Sequence, residues 1–119
     1  MISIDAFRDQ LCDLVEKKFP DVEFKINERR SSILEIRIFF TPEVFMESYL
    51  NGITGKRSFA LVKNGKRIWG CDNYRYWHYH PFNNPENHVQ CNEPSLEKIV
   101  HEVQTVLTKI ECLNMDIGK

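Results

Sequence analysis

No apolar run in this sequence approaches the roughly 20 residues needed to cross a bilayer, because charged residues interrupt every hydrophobic stretch. A membrane helix is therefore not expected. The start, Met1-Ile2-Ser3-Ile4-Asp5, lacks the basic segment and apolar run of a secretory signal, so a cytoplasmic location is expected. Cys12, Cys71, Cys91 and Cys112 lie far apart and form no C-x-x-C pair. That is unlike the dense cysteine framework of small secreted domains, and reduced thiols are expected. A charge excess is missing too: 16 basic residues face 17 acidic ones, a net charge of −1 with histidine neutral. Such a balance argues against nonspecific coating of DNA or RNA, so any nucleic-acid contact should be local. There is no internal repeat, low-complexity stretch or linker.

What is present points to one ordinary globular domain spanning residues 1–119. Apolar residues make up 42% of the chain and charged residues 28%, close to globular averages and incompatible with a disordered or fibrous class. At this length one core is expected and two are not.

Ile4, Phe7, Leu11, Leu14, Val15 and Phe19 recur at steps of three and four, the spacing of one helix face, with Ser3 as cap and Pro20 as stop. The period then changes to two. Val22, Phe24 and Ile26 alternate with polar residues, and after the turn Arg29-Arg30-Ser31-Ser32 Leu34, Ile36, Ile38 and Phe40 alternate with Glu35, Arg37 and Phe39. The segment 44–50 fits a strand or a short helix, and the strand is the preferred reading. A further strand, 57–63, leads into Asn64-Gly65, the strongest turn signal in the chain, since both residues tolerate the positive φ of a type I′ hairpin. A regular two-residue hairpin would pair Leu61 with Ile68 and Phe59 with Gly70, leaving Ala60, Val62, Trp69 and Cys71 on the other face. Residues 71–92 show no regular period and read as a long ordered loop packed over the sheet. Pro94 and Ser95 then open a helix with Leu96, Ile99, Val100, Val103, Leu107 and Ile110 on one face. The expected architecture is α+β: an antiparallel meander of four or five strands with N- and C-terminal helices packed on one face.

Three of the four histidines, His78, His80 and His88, fall within eleven residues, where uniform scattering would put well under one. Asp72, Asn73 and Arg75 stand just upstream, and His78 and His80 share one side of any extended segment. These are parts of an acid/base site. One reading is RNA cleavage through the 2′-hydroxyl, which needs a base, an acid and a cation near the phosphorus. Imidazole serves either proton role near neutral pH. His78 and His80 would be the pair and His88 a substitute for either, with Arg75 clamping the phosphate and Tyr74, Tyr76 or Trp77 stacking on a base. That chemistry requires no cofactor. A second reading is a zinc site on His78, His80, His88 and Cys91, or Cys71 in place of one, although the usual paired-cysteine knuckles are missing. A third is structural: aromatic, His-containing loops also cap sheets, their imidazoles bonded to backbone carbonyls. His101 reads as a surface residue, and Cys12 and Cys112 as inert thiols near the helix stripes.

The run Lys56-Arg57-Ser58-Phe59-Ala60-Leu61, then Asn64-Gly65-Lys66-Arg67-Ile68-Trp69, Asp72-Asn73, His78, His80-Pro81, Pro85 and His88 resembles the TumE family of small proteins. In that family a hairpin ends in an Asp-Asn pair and enters a His- and Pro-rich loop. The resemblance covers the second half of the chain. It implies a toxin of a type II toxin–antitoxin pair, acting as a ribonuclease and neutralised by a helix-turn-helix antitoxin. Asp72, Asn73 and the loop histidines are the site it implies. RNA and that antitoxin are then the expected partners, with no membrane, and a homodimer is compatible with this set. A noncatalytic partner-binding module on the same sheet is the remaining alternative.

Overall fold

The computed structural model describes residues 2–117, with side chains through residue 111, so the Cys112 thiol lies outside the described residues. The first helix, α1 (Ile4–Lys18), starts where the Ser3 hydroxyl accepts the Ala6 N–H at 3.2 Å and ends at Phe19, ahead of the proline that cannot continue it. Seven strands follow: β1 (Glu23–Arg29), β2 (Ile33–Thr41), β3 (Val44–Asn51), β4 (Arg57–Lys63), β5 (Lys66–Asp72), β6 (His78–His80) and β7 (Val89–Gln90). They form one antiparallel sheet in chain order. The chain closes with α2 (Leu96–Ile117), whose Ser95 hydroxyl accepts the Lys98 N–H at 3.1 Å. The class is therefore α+β as expected, and segment 44–50 is a strand.

Alternation sorts the strand residues onto two faces. Leu34, Ile36, Ile38, Met46, Leu50, Phe59, Leu61, Trp69 and Cys71 share one face and are all buried. They meet Phe7, Leu11 and Val15 of α1 and Ile99, Val100, Val103 and Val106 of α2 in one core. Each fully buried Leu or Ile contributes about 1.5–3 kcal/mol there. The helices lie side by side and run the same way, since Gln10 bonds Glu97 and, two turns on, Lys18 bonds Gln104. Among the described residues, the other face of the sheet carries no helix.

Two expectations need correction. The sheet has seven strands instead of four or five, because the segment read as a loop contains β6 and β7, only three and two residues long. Strands this short show no periodicity that could be counted. The β4–β5 hairpin also departs from the regular register. Asn64 (φ 51°) and Gly65 (φ 79°) make the expected turn, and Lys63 pairs Lys66 and Val62 pairs Arg67, but Leu61 then pairs Trp69 and Phe59 pairs Cys71. Ile68 is the extra residue of a β-bulge. Burial explains the shift. A regular ladder would aim Trp69 and Cys71 at the bare face and put Gly70 in the core; the bulge reverses both. It also reverses Asp72, which the regular register would have sent under the helices.

Candidate functional site

The helix-free face of β4, β5 and β6 holds the site. In register, Ser58 faces Asp72 and Asp72 faces His78, while Ala60 faces Gly70 and Gly70 faces His80. Directly paired residues share a face, so His78 lies straight across from Asp72 and His80 lies on the diagonal. The β6–β7 pairs Tyr79 with Val89 and His78 with Gln90 bring His88, one step further, opposite His80. The three imidazoles form a triangle, with ring centroids 4.9, 4.9 and 4.7 Å apart. His78 and His80 are each 4% exposed, whereas His88 is open to solvent.

Hydrogen bonding orients the two buried rings. His78 Nδ1 lies 2.9 Å from the Tyr76 carbonyl oxygen and His80 Nδ1 3.1 Å from that of Pro85. A carbonyl only accepts, so both Nδ1 atoms carry the proton and donate it. Each Nε2 then faces Asp72: His80 Nε2 is 3.2 Å from Oδ2 and His78 Nε2 3.4 Å from Oδ1. Neutral rings would present bare lone pairs to a carboxylate. A proton or a metal ion placed between them would make these two contacts favourable.

Gly70 makes the arrangement fit. A Cβ there would lie 3.3 Å from the His80 ring, 3.3 Å from Arg67 Cδ and 3.3 Å from the Phe59 carbonyl oxygen. The missing side chain lets the His80 ring lie close against the sheet without displacing its neighbours.

A cleft of about 600 Å³ opens above these groups, lined by Lys56, Ser58, Arg67, Tyr74, Arg75 and Tyr76 in addition to Asp72 and the three histidines. Tyr74 and Tyr76 are 60% and 46% exposed. The Arg75 guanidinium lies 5.5 Å from the Tyr74 ring centre and the Lys56 ammonium 5.9 Å from it. Arg75 sits at φ 68° in a three-residue turn closed by the Tyr76 N–H to the Tyr74 carbonyl at 2.8 Å. A positive φ at the centre of such a turn is rare and strained for an arginine. Asp72 Oδ1 holds the same turn through the Tyr74 N–H at 2.9 Å.

Not every residue singled out in the sequence joins the cleft. Asn73 ties strand ends together: its Oδ1 accepts the Arg57 N–H at 2.8 Å and its Nδ2 donates to the Gly55 carbonyl at 2.9 Å. Trp77 packs against the core, beneath the Arg57 guanidinium at 5.0 Å. The Cys91 thiol lies beside that of Cys71 on the helix-covered face, away from the histidines. Among the described residues, His78, His80 and His88 form a group that could hold a metal ion, with ligand atoms within 4.8 Å of one another. Burial, and next the neighbouring Cys91, push the Cys71 thiol up to about 12, which makes it a poor nucleophile. Lys56, Ser58 and Arg67 were missed by the sequence reading. Ser58 was hidden by the bulge, since the regular register sets it across from Cys71, whereas Arg67 was findable, because it pairs with Val62 in either register.

A larger cleft of about 890 Å³ opens at the other end of the sheet, between Phe19, Val22, Phe40, Val44 and Leu107. Its described lining contains no histidine or cysteine, so the smaller, chemically furnished cleft is the candidate site. Compared with protein-family models, with curated proteins and with solved structures, the chain gives no match.

Proposed function

We propose that this chain is a ribonuclease that cleaves single-stranded RNA in the cleft over Asp72, His78, His80 and His88. The observation that carries the reading is the set of three imidazoles and one carboxylate at the floor of a cleft rimmed by Lys56, Arg67 and Arg75. Acid/base groups and phosphate-binding cations are thereby combined, with exposed tyrosines able to stack on unpaired bases. His88, the solvent-open ring, takes the proton from the 2′-hydroxyl. The 2′-oxygen then attacks phosphorus, and the bond to the 5′-oxygen breaks as a proton held between Asp72 and His80 passes to it. The products are a 2′,3′-cyclic phosphate and a free 5′-hydroxyl. Arg67 and Arg75 counter the charge that builds on the phosphoryl oxygens.

The TumE resemblance extends this reading to a toxin held in check by a helix-turn-helix antitoxin. The decisive measurement is cleavage of single-stranded RNA by wild type and His88→Ala in chelator-containing buffer. Loss of about 10²-fold or more in the variant, with its melting temperature unchanged, is the expected result. Equal cleavage by both proteins would sink the assignment.

A specific observation also favours a second reading, a zinc centre. Metal-binding histidines characteristically donate their second ring nitrogen to a carbonyl, as His78 and His80 do. A hydrolase depending on that zinc would lose its activity in chelator, which the first reading does not.

A further inference from the structure

We infer that the RNA-cleaving site is also a regulatory site for a divalent transition metal of the zinc type, bound by His78, His80, His88 and Asp72, and that bound metal switches cleavage off. The inference rests on the ribonuclease reading for its regulatory half only.

The ligand set follows from distances. A tetrahedral zinc with nitrogen and oxygen ligands at about 2.0–2.2 Å has ligand atoms roughly 3.3–3.6 Å apart. His80 Nε2 and Asp72 Oδ2 are 3.2 Å apart, and His78 Nε2 and Asp72 Oδ1 are 3.4 Å apart. Each of the two buried imidazoles therefore has one carboxylate oxygen at ligand-to-ligand spacing, His80 through Oδ2 and His78 through Oδ1. Both Nε2 atoms direct lone pairs into the gap, because both Nδ1 protons are committed to carbonyls. The exposed His88 closes the set: its ring lies 4.9 and 4.7 Å from the other two, and a ring free of protein hydrogen bonds among the described residues turns at little cost. Cys91, the fourth ligand expected from spacing alone, is replaced by Asp72. A mixed set of three imidazoles and a carboxylate suits zinc better than magnesium or calcium, which prefer oxygen.

Switching follows from exclusion. The lone pair that receives the metal is the one that would carry a proton, so one imidazole cannot serve both. A metal drawing His88 inward also removes the ring assigned to the 2′-hydroxyl.

The test titrates Co²⁺ into the metal-free protein and follows its visible absorption, then repeats RNA cleavage with increasing Zn²⁺. Expected are one Co²⁺ per chain, binding weakened at least tenfold in His88→Ala and in Asp72→Asn, unchanged binding in Cys91→Ser, and cleavage falling to background at one Zn²⁺ per chain. Absence of Co²⁺ binding, or unchanged binding in His88→Ala, overturns the site. Cleavage that rises with stoichiometric Zn²⁺ overturns the switch. A protein that binds Co²⁺ but cleaves no RNA in chelator overturns the ribonuclease reading and leaves the metal site standing, because absorption is read without RNA.

Discussion

At the scale of single residues, the site depends on a side chain that is missing. Gly70 is buried directly across from His80, and any Cβ there meets the imidazole, an arginine stem and a backbone oxygen at 3.3 Å each. At that spacing each neighbour must give by a few tenths of an ångström, and the Phe59 carbonyl, held in the β-ladder, has the least freedom to do so, which leaves the Cβ pressed towards the His80 ring. Gly70→Ala should therefore cost about 1–3 kcal/mol of stability, the usual range for overpacking. It should lower RNA cleavage and Co²⁺ affinity together, by at least tenfold. Chemical denaturation with a cleavage assay on the same samples checks this; a destabilised variant of full activity would show that His80 need not lie against Gly70. The sequence displayed the imidazoles and Asp72 openly. It did not display which nitrogen faces which partner, because the carbonyls of Tyr76 and Pro85 that settle this belong to the backbone.

At the scale of elements, the long strands were legible and the short ones were not. In β2 alternation runs from Ile33 to Phe39, enough to favour period two over 3.6, whereas the apolar run Val44-Phe45-Met46 and the polar Ser48 left β3 open to a short helix as well. Three and two residues in β6 and β7 carry no such signal, although His78-x-His80 does keep the two imidazoles on one side. The bulge at Ile68 escaped for another reason: a turn motif sets how a hairpin begins, and burial of Trp69 and Cys71 decides how it continues. Strand β3 contains one departure from its pattern. Ser48 lies on the core face at 1% exposure, and its hydroxyl has no hydrogen-bond partner among the described residues. An unpaired buried hydroxyl is costly, so Ser48→Ala should stabilise the protein by about 1 kcal/mol. That corresponds to a rise of roughly 4 °C in melting temperature. A calorimetric scan checks it, and a lower melting temperature would mean that the hydroxyl is bonded after all.

At the scale of the whole molecule, alkaline pH should be the fold's weak side. Burial pushes the Cys71 thiol up to about 12 from an ordinary 9.0, and burial followed by the nearby Cys71 and Cys91 pushes the Tyr79 phenol up to about 12 from 10.0. Both groups keep their protons in the folded chain at pH values where the unfolded chain has lost them. Stability linked to them is fully present below about pH 9 and is lost progressively as pH rises towards 12. Urea midpoints measured between pH 8 and 11 should fall, and fall less steeply in Tyr79→Phe. A flat profile would show that neither group is shielded from water.

A sheet padded by helices on one side only also divides the work of its residues by parity. Along β4 and β5, Phe59, Leu61, Trp69 and Cys71 answer to the core, while Ser58, Ala60, Gly70 and Asp72 lie on the opposite face, where Ser58 and Asp72 line the cleft. The first set tolerates only side chains of matching volume. Most of the second set touches the packing little, Gly70 excepted. New ligand preferences can therefore be written on alternate positions of the same strands without refolding the scaffold, which makes the bare face the natural place for this domain to diverge.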